Sequence, residues 1–160
     1  MNAHSTRTSK GYTFVEMIVV VGIIGVLAAM LIPLAEMNVQ RDKERELRVA
    51  LHQIRRAIDE YHQAVLIGQI AVPAGASAYP RSLQVLVDGT PDARVPGKVI
   101  YFLRKIPRDP FADHSLPAEA TWQLRSYASP PDRPQPGLDV YDVVSRSAGM
   151  GMNGVPLREW

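Results

Sequence analysis

Few residues in this sequence have the types and spacing that catalysis or metal binding requires. Asp109, Asp113 and His114 share one proline-bounded loop and are side chains that could transfer a proton. No recognisable nucleophile accompanies them, so we do not expect an enzyme. His52 and His62 are about 15 Å apart along a predicted helix, too far apart to bind one metal ion. The chain contains no cysteine, which excludes thiolate chemistry and disulfides.

Glu16 is a charged residue in a position where a charge is energetically costly. It directly precedes residues 17–35, which contain no charged side chain. A carboxylate beside such an apolar stretch needs a partner or a function. Two roles remain open. The T-x-x-E spacing of Thr13 and Glu16 predicts a capping box at a helix start, whereas an ion pair with another chain would neutralise the charge.

The apolar stretch predicts a transmembrane helix. As a helix, residues 17–35 would be about 28 Å long, close to the ~30 Å hydrocarbon core of a bilayer. Arg7 and Lys10 precede it without any acidic residue, which predicts a cytoplasmic N-terminus and accounts for the formal net charge of +2. A cleaved secretory signal peptide fits less well, because the apolar stretch is long and lacks a clear small-x-small cleavage site.

The helix is predicted to continue well beyond the apolar stretch and to span residues 12–67. Apolar side chains recur at heptad spacing and predict one buried stripe. They are Leu47, Leu51, Ile54, Ile58, Tyr61 and Val65. Opposite charges four residues apart predict supporting ion pairs along the helix. These pairs are Glu44 with Arg48, Arg55 with Asp59, and Arg56 with Glu60. Gly68 and Pro73 are predicted to end the helix.

Residues 68–160 predict a small head with short elements. Leu83 and Leu86 suit a short helix capped by Ser82 and ended by Gly89. Three apolar or alternating segments predict strands of a small antiparallel sheet that packs on the helix. These segments are residues 99–103, 122–125 and 140–145. The predicted fold is therefore α+β, a long N-terminal helix on a small antiparallel β-sheet head.

Residues 10–16, KGYTFVE, resemble the leader junction of type IV pilins and type II secretion pseudopilins. The resemblance implies an N-terminal leader, residues 1–11, that a prepilin peptidase cuts after Gly11. It implies N-methylation of Tyr12 and a glutamate at the fifth mature position, which is Glu16. Tyr12 departs mildly from the phenylalanine that the family usually has first. A helix-breaking proline is also common where this chain has Pro33.

The resemblance implies a role in assembly for these residues. In family filaments the glutamate, here Glu16, is thought to pair with the N-terminal amine of a neighbouring subunit. Gly22, Gly25 and Pro33 would let the helix partly unwind on assembly, because glycine and proline lower helix stability. The alternative is that membrane helices simply tolerate glycine and proline.

The head also resembles one branch of the family, the major pseudopilin of type II secretion. The matching motifs are Tyr79-Pro80, Leu83 to Leu86, residues 106–111 and residues 142–145. In that branch the loop after the last strand binds calcium, which implies Asp142, Ser145 and Asn153 as ligands. The acidic ligand usual in that loop is missing here, which predicts weak calcium binding or a metal-free loop.

The resemblance implies a structural subunit of a type II secretion pseudopilus that supports protein export across the outer membrane. It implies an inner-membrane protein with one span and a periplasmic head, assembling with its own copies into a filament. The implied partners are prepilin peptidase, minor pseudopilins and an assembly platform, without nucleic acid. The alternatives are a minor pseudopilin, a type IV pilin, or a membrane-anchored enzyme or binding protein whose head acts alone.

Overall fold

The computed structural model describes residues 11–160, except for the side chains of residues 29–35. The predicted leader lies outside the described residues apart from Gly11. The described residues fall into two compact units, residues 11–39 and Gln40–Trp160. The fold class is α+β, as predicted, with one long helix and short antiparallel strands.

Helix α1 spans Phe14–Leu66 and confirms the predicted long helix. Its first hydrogen bond runs from the Met17 N–H to the Thr13 carbonyl, at 3.1 Å. Its end is set by Gly68, whose φ of 70° is a conformation that favours glycine. The N–H groups of Gly68 and Gln69 turn back to the carbonyls of Val65 and Ala64, which satisfies the last turn.

The predicted membrane segment, residues 17–35, includes seven residues whose side chains lie outside the described part of the chain. Within the described part, no helix combines the length and apolarity that crossing a membrane requires.

In the second unit, the predicted apolar stripe of α1 is buried and forms one side of the core. Leu47, Ile54 and Ile58 are fully buried, and Val65 packs at the edge of the cluster. Buried side chains from the head cover this stripe. They are Ile70, Leu83, Leu86, Trp122, Val140, Val143 and Leu157. Each large apolar side chain removed from water contributes about 1.5–3 kcal/mol, so this contact is the main source of head stability.

Only one of the three predicted ion pairs along α1 forms. Arg56 contacts Glu60 at 2.8 Å, as expected. Arg55 instead contacts Asp142 in the head. The Glu44 carboxylate accepts hydrogen bonds from Gln40 and from the Met152 N–H, not from Arg48. Arg55 and Glu44 border the buried stripe, so their partners in the head are better shielded from water than the partners predicted on the helix.

The head contains two antiparallel sheets of two strands, not the single sheet predicted. Strand β1 (Thr90–Pro91) pairs with β2 (Val99–Ile100). Strand β3 (Trp122–Arg125) pairs with β4 (Asp142–Ser145). The predicted strand at 99–103 stops early because the N–H groups of Phe102 and Leu103 both donate to the Leu86 carbonyl. The chain there turns onto the end of a helix and cannot extend the ladder.

That helix, α2, spans Gln84–Asp88 and confirms the predicted short helix. Its N-cap is Leu83, without a side-chain cap hydrogen bond, so the predicted cap by Ser82 is wrong. Gly89 ends the helix with φ 85°, as the sequence predicts. A Cβ at Gly89 would lie 2.6 Å from Val99 Cγ1, so the residue also permits the close approach of β2.

Two substitutions on α1 test whether the stripe stabilises the head. Ile58 is fully buried, whereas Val49 is 53% exposed on the same helix. We expect Ile58→Ala to lower the free energy of unfolding by about 2–5 kcal/mol. Val49→Ala should change it by less than about 0.5 kcal/mol. Urea unfolding of the full chain in detergent, followed by near-UV circular dichroism, measures both. Equal effects of the two substitutions would contradict the assignment of the core.

Candidate functional site

The residues flanking the predicted cleavage bond are accessible. Gly11 and Tyr12 precede α1 without regular secondary structure. Tyr12 is 78% exposed, and no heavy atom of the described residues beyond the chain neighbours lies within 4 Å of a Cβ built at Gly11. A peptidase needs an accessible peptide bond outside a helix, and the Gly11–Tyr12 bond is exposed and precedes α1. Cleavage and methylation there remain predictions.

The start of α1 separates the two roles considered for Glu16. The Thr13 hydroxyl accepts a hydrogen bond from the Glu16 N–H at 3.2 Å, which is the N-cap half of a capping box. Among the described residues, no reciprocal bond joins the Glu16 carboxylate to the Thr13 N–H. The cap therefore accounts for Thr13 but does not account for the charge of Glu16. The predicted ion pair with another chain stays a prediction.

The residues predicted to break the helix lie inside α1, which continues through their positions. Gly22 and Gly25 have open space where a Cβ would be, so close packing among the described residues does not require glycine there. Pro33 belongs to residues 29–35, whose side chains lie outside the described part of the chain. The predicted unwinding concerns assembly and stays a prediction.

The acid–base candidates in the proline-bounded loop are not joined to one another by hydrogen bonds. Asp109 is 2% exposed and faces the core. Asp113 lies in an exposed turn, where the Ser115 N–H donates to its carboxylate at 2.8 Å. That backbone hydrogen bond lowers the pKa of Asp113 and favours its ionised form. Among the described residues, no hydrogen bond joins Asp109, Asp113 and His114.

The two histidines on α1 have different surroundings. His62 stacks on Tyr79 with a distance of 4.3 Å between ring centroids, and the rings are nearly parallel. His52 is exposed on the surface of α1. Within residues 11–160, no group of three or more histidine, aspartate or glutamate side chains could hold a metal ion.

Asp109 instead joins its loop to the last strand. The Ser145 hydroxyl donates to Asp109 Oδ2 at 2.5 Å, and both residues are almost completely buried. The other carboxylate oxygen accepts the Phe111 N–H at 2.8 Å. The Asp109 N–H in turn donates to the Thr121 hydroxyl at 3.2 Å. The aspartate of the family-like 106–111 motif therefore has a structural role in this head.

The three predicted calcium ligands do not converge. Asp142 and Ser145 are three residues apart in β4, so their side chains lie on opposite faces of the strand. Ser145 points to Asp109, whereas Asp142 Oδ1 accepts hydrogen bonds from Arg55 Nε and the Val143 N–H, both at 2.8 Å. Asn153 Oδ1 accepts the Val155 N–H within its own turn at 3.1 Å. The residues in this arrangement do not fit a calcium ion.

Sequence reasoning missed the partners of Glu44 and Arg55 in the C-terminal segment. Both residues lie beside the apolar stripe, and this position implies contact with the head. It does not identify the partner, because Arg55 and Asp142 are 87 residues apart along the chain. Local i,i+4 spacing offered a nearer partner for each residue, and the fold supplied a more buried one.

A serine substitution tests the structural role of the buried Asp109–Ser145 bond. Ser145→Ala leaves a buried carboxylate short of one donor, so the free energy of unfolding should fall by about 1–3 kcal/mol. Ser115→Ala, in the exposed turn, is the matched control and should be near neutral. Chemical unfolding of the full chain in detergent provides both values. If Ser145→Ala proves as mild as Ser115→Ala, the bond does not stabilise the head.

Comparison with known proteins gives one finding about the N-terminal region. Residues 6–32 match the prokaryotic N-terminal methylation motif. No curated protein and no solved structure matches the chain significantly. The matched motif is typical of type IV pilins and pseudopilins, and it covers the Gly11–Tyr12 bond, Glu16 and the first part of α1.

Proposed function

We propose that this chain is a prepilin-like structural subunit that assembles through its N-terminal helix into a type II secretion pseudopilus. The single observation that carries the proposal is the methylation motif at residues 6–32, which overlaps the beginning of a helix of 53 residues. Its role is assembly and not catalysis. The motif is shared with type IV pilins, and the head motifs together with the lack of cysteine favour a pseudopilin.

Processing is the first step of the proposal. A prepilin peptidase cuts after Gly11 and methylates the amine of Tyr12. The exposed, non-helical backbone at this bond supports the step, since a protease binds its substrate in an extended form. Arg7 and Lys10 precede the bond and favour a cytoplasmic location for the leader.

The exposed apolar surface of α1 supports the second step, which is burial in lipid and then in a filament. In the first unit, large apolar side chains are exposed on every side of the helix. They include Phe14, Val15, Ile18, Val19, Ile23, Ile24, Val26 and Leu27. A contiguous apolar surface of this kind marks contact with a membrane or with other chains. The proposed subunit waits in the inner membrane with its head in the periplasm.

Glu16 sets the register between subunits in the third step. Because the Thr13 hydroxyl already caps α1, a carboxylate at Glu16 is not needed for the helix start. In an apolar filament core the charge is neutralised by the Tyr12 amine of a neighbouring subunit. Further partners in the proposal are minor pseudopilins and an inner-membrane assembly platform, and the filament supports export across the outer membrane.

Cleavage is tested by substitution at Gly11. Gly11→Leu places a bulky side chain at the proposed cleavage bond, so the protein should accumulate with a mass greater by the leader. Gly22→Leu is the matched control, because Gly22 lies inside α1 with open space around it. Intact-mass spectrometry of both variants, expressed with a prepilin peptidase, gives the answer. Normal processing of Gly11→Leu would place the cleavage bond elsewhere.

Assembly is tested by substitution at Glu16. A benzophenone photo-crosslinking residue introduced at Ile24 inserts into a C–H bond of a neighbouring chain, so contacts between subunits appear as a ladder of covalent oligomers. Glu16→Leu should remain in the membrane but lose the ladder, because loss of one partner of a buried ion pair costs about 3–5 kcal/mol. Such a cost weakens each contact by roughly a hundredfold or more.

The control for this experiment is Glu36→Leu, which removes a carboxylate from an exposed position further along the same helix. It should keep the ladder. A full ladder in Glu16→Leu, or equal losses in both variants, would contradict a registering role for Glu16.

A further inference from the structure

We propose that the guanidinium of Arg55 closes the C-terminal segment of the head as an internal cation, so that the folded head does not depend on calcium. This inference concerns only the second unit and is independent of how the chain is processed or assembled. It follows from the disagreement between the implied calcium ligands and the contacts that these residues make.

Arg55 collects oxygen atoms from separate parts of the C-terminal segment. Its Nε donates to Asp142 Oδ1 at 2.8 Å. Its Nη2 donates to the Val143 carbonyl at 3.2 Å and to the Trp160 backbone oxygen at 2.7 Å. One carboxylate and two backbone oxygens are the acceptor types that a hard cation such as calcium also prefers. A guanidinium satisfies them with directed N–H donors from a fixed planar fork.

Each implied calcium ligand already has one oxygen engaged in a hydrogen bond. Asp142 Oδ1 accepts the Val143 N–H in addition to Arg55. The Ser145 hydroxyl donates to Asp109 in the core, and Asn153 Oδ1 accepts the Val155 N–H. A calcium ion near Asp142 would also be repelled by the positive charge of Arg55, because like charges in a partly dry site repel strongly.

Two further residues of α1 hold the same segment. Glu44, which is buried, accepts the Met152 N–H at 2.7 Å. The Arg48 guanidinium lies 4.4 Å from the centroid of the Trp160 ring, a cation–π distance. Glu44, Arg48 and Arg55 follow one another at spacings of four and seven residues, which places them along one face of the helix. The face therefore holds both Met152 and Trp160.

The segment itself is shaped to receive these contacts. Gly151 N–H donates to the Val155 carbonyl at 2.9 Å, which closes the turn between Met150 and Pro156. A Cβ at Gly151 would lie 2.5 Å from Trp160 Cζ2, so glycine allows Trp160 to pack against the turn. The turn and Trp160 thus form one unit that α1 anchors through Arg55.

The pair between Arg55 and Asp142 is well placed to contribute to stability. Their side chains are 37% and 22% exposed, so water screens them less than an ion pair on the open surface. Removal of Arg55 would take one donor from a mostly buried carboxylate and from two backbone oxygens. By contrast, the neighbouring Arg56 is 71% exposed and contacts only Glu60 on its own helix.

The test uses the full chain in detergent, with thermal unfolding followed by near-UV circular dichroism in calcium chloride and in EGTA. The wild-type midpoint should be the same in both solutions. Arg55→Ala should lower the midpoint by roughly 5 °C or more. Arg56→Ala, the matched control, should lower it by less than about 2 °C. The midpoint of Arg55→Lys should lie between those of Arg55→Ala and the wild type, since lysine keeps the charge but loses the planar fork.

Hydrogen exchange of residues 146–160 gives a second measurement on the folded protein at low temperature. Arg55→Ala should speed exchange of this segment about tenfold or more while exchange in the middle of α1 stays slow. Arg56→Ala should leave the segment unchanged. A wild-type midpoint that rises in calcium would overturn the proposal. So would equal exchange in Arg55→Ala and Arg56→Ala.

Discussion

The head depends on one contact, the burial of the apolar stripe of α1 beneath the loops and strands that follow it. Leu47, Ile54 and Ile58 exclude water along one side of the helix, and Trp122 and Val143 cover them from the head. With only two sheets of two strands, the head has too little backbone pairing to be stable alone. The helix therefore provides the surface on which the irregular chain is organised.

Residues that border this stripe connect the distant parts of the head. Arg55 and Glu44 are half-buried or buried because their neighbours are core residues, and this burial makes their hydrogen bonds to the C-terminal segment strong. Inside the head, the hydrogen bond between Ser145 and Asp109 connects β4 to the 106–111 loop. A loop-rich fold without disulfides thus uses charged and hydroxyl side chains as its cross-links.

The sequence predicts what depends on local spacing. The stripe from Leu47 to Val65, the end of α1 at Gly68 and the short helix before Gly89 follow from periodicity and from glycine's access to positive φ. Tertiary contacts decide the rest. β2 ends at Ile100 because the N–H groups of Phe102 and Leu103 donate to the Leu86 carbonyl. Arg55 forms its ion pair with Asp142 in the head and not with Asp59 on its own helix. The Thr13 cap could be predicted from T-x-x-E, but the spacing alone could not show that only half of the box forms.

We propose that the chain is processed at the methylation motif to become a filament subunit. The most direct measurement is mass spectrometry of the N-terminal peptide of the protein purified from membranes of cells that contain a prepilin peptidase. We expect a peptide that begins with N-methylated Tyr12. A chain that still begins at Met1, or one that begins at an unmodified residue other than Tyr12, would contradict it.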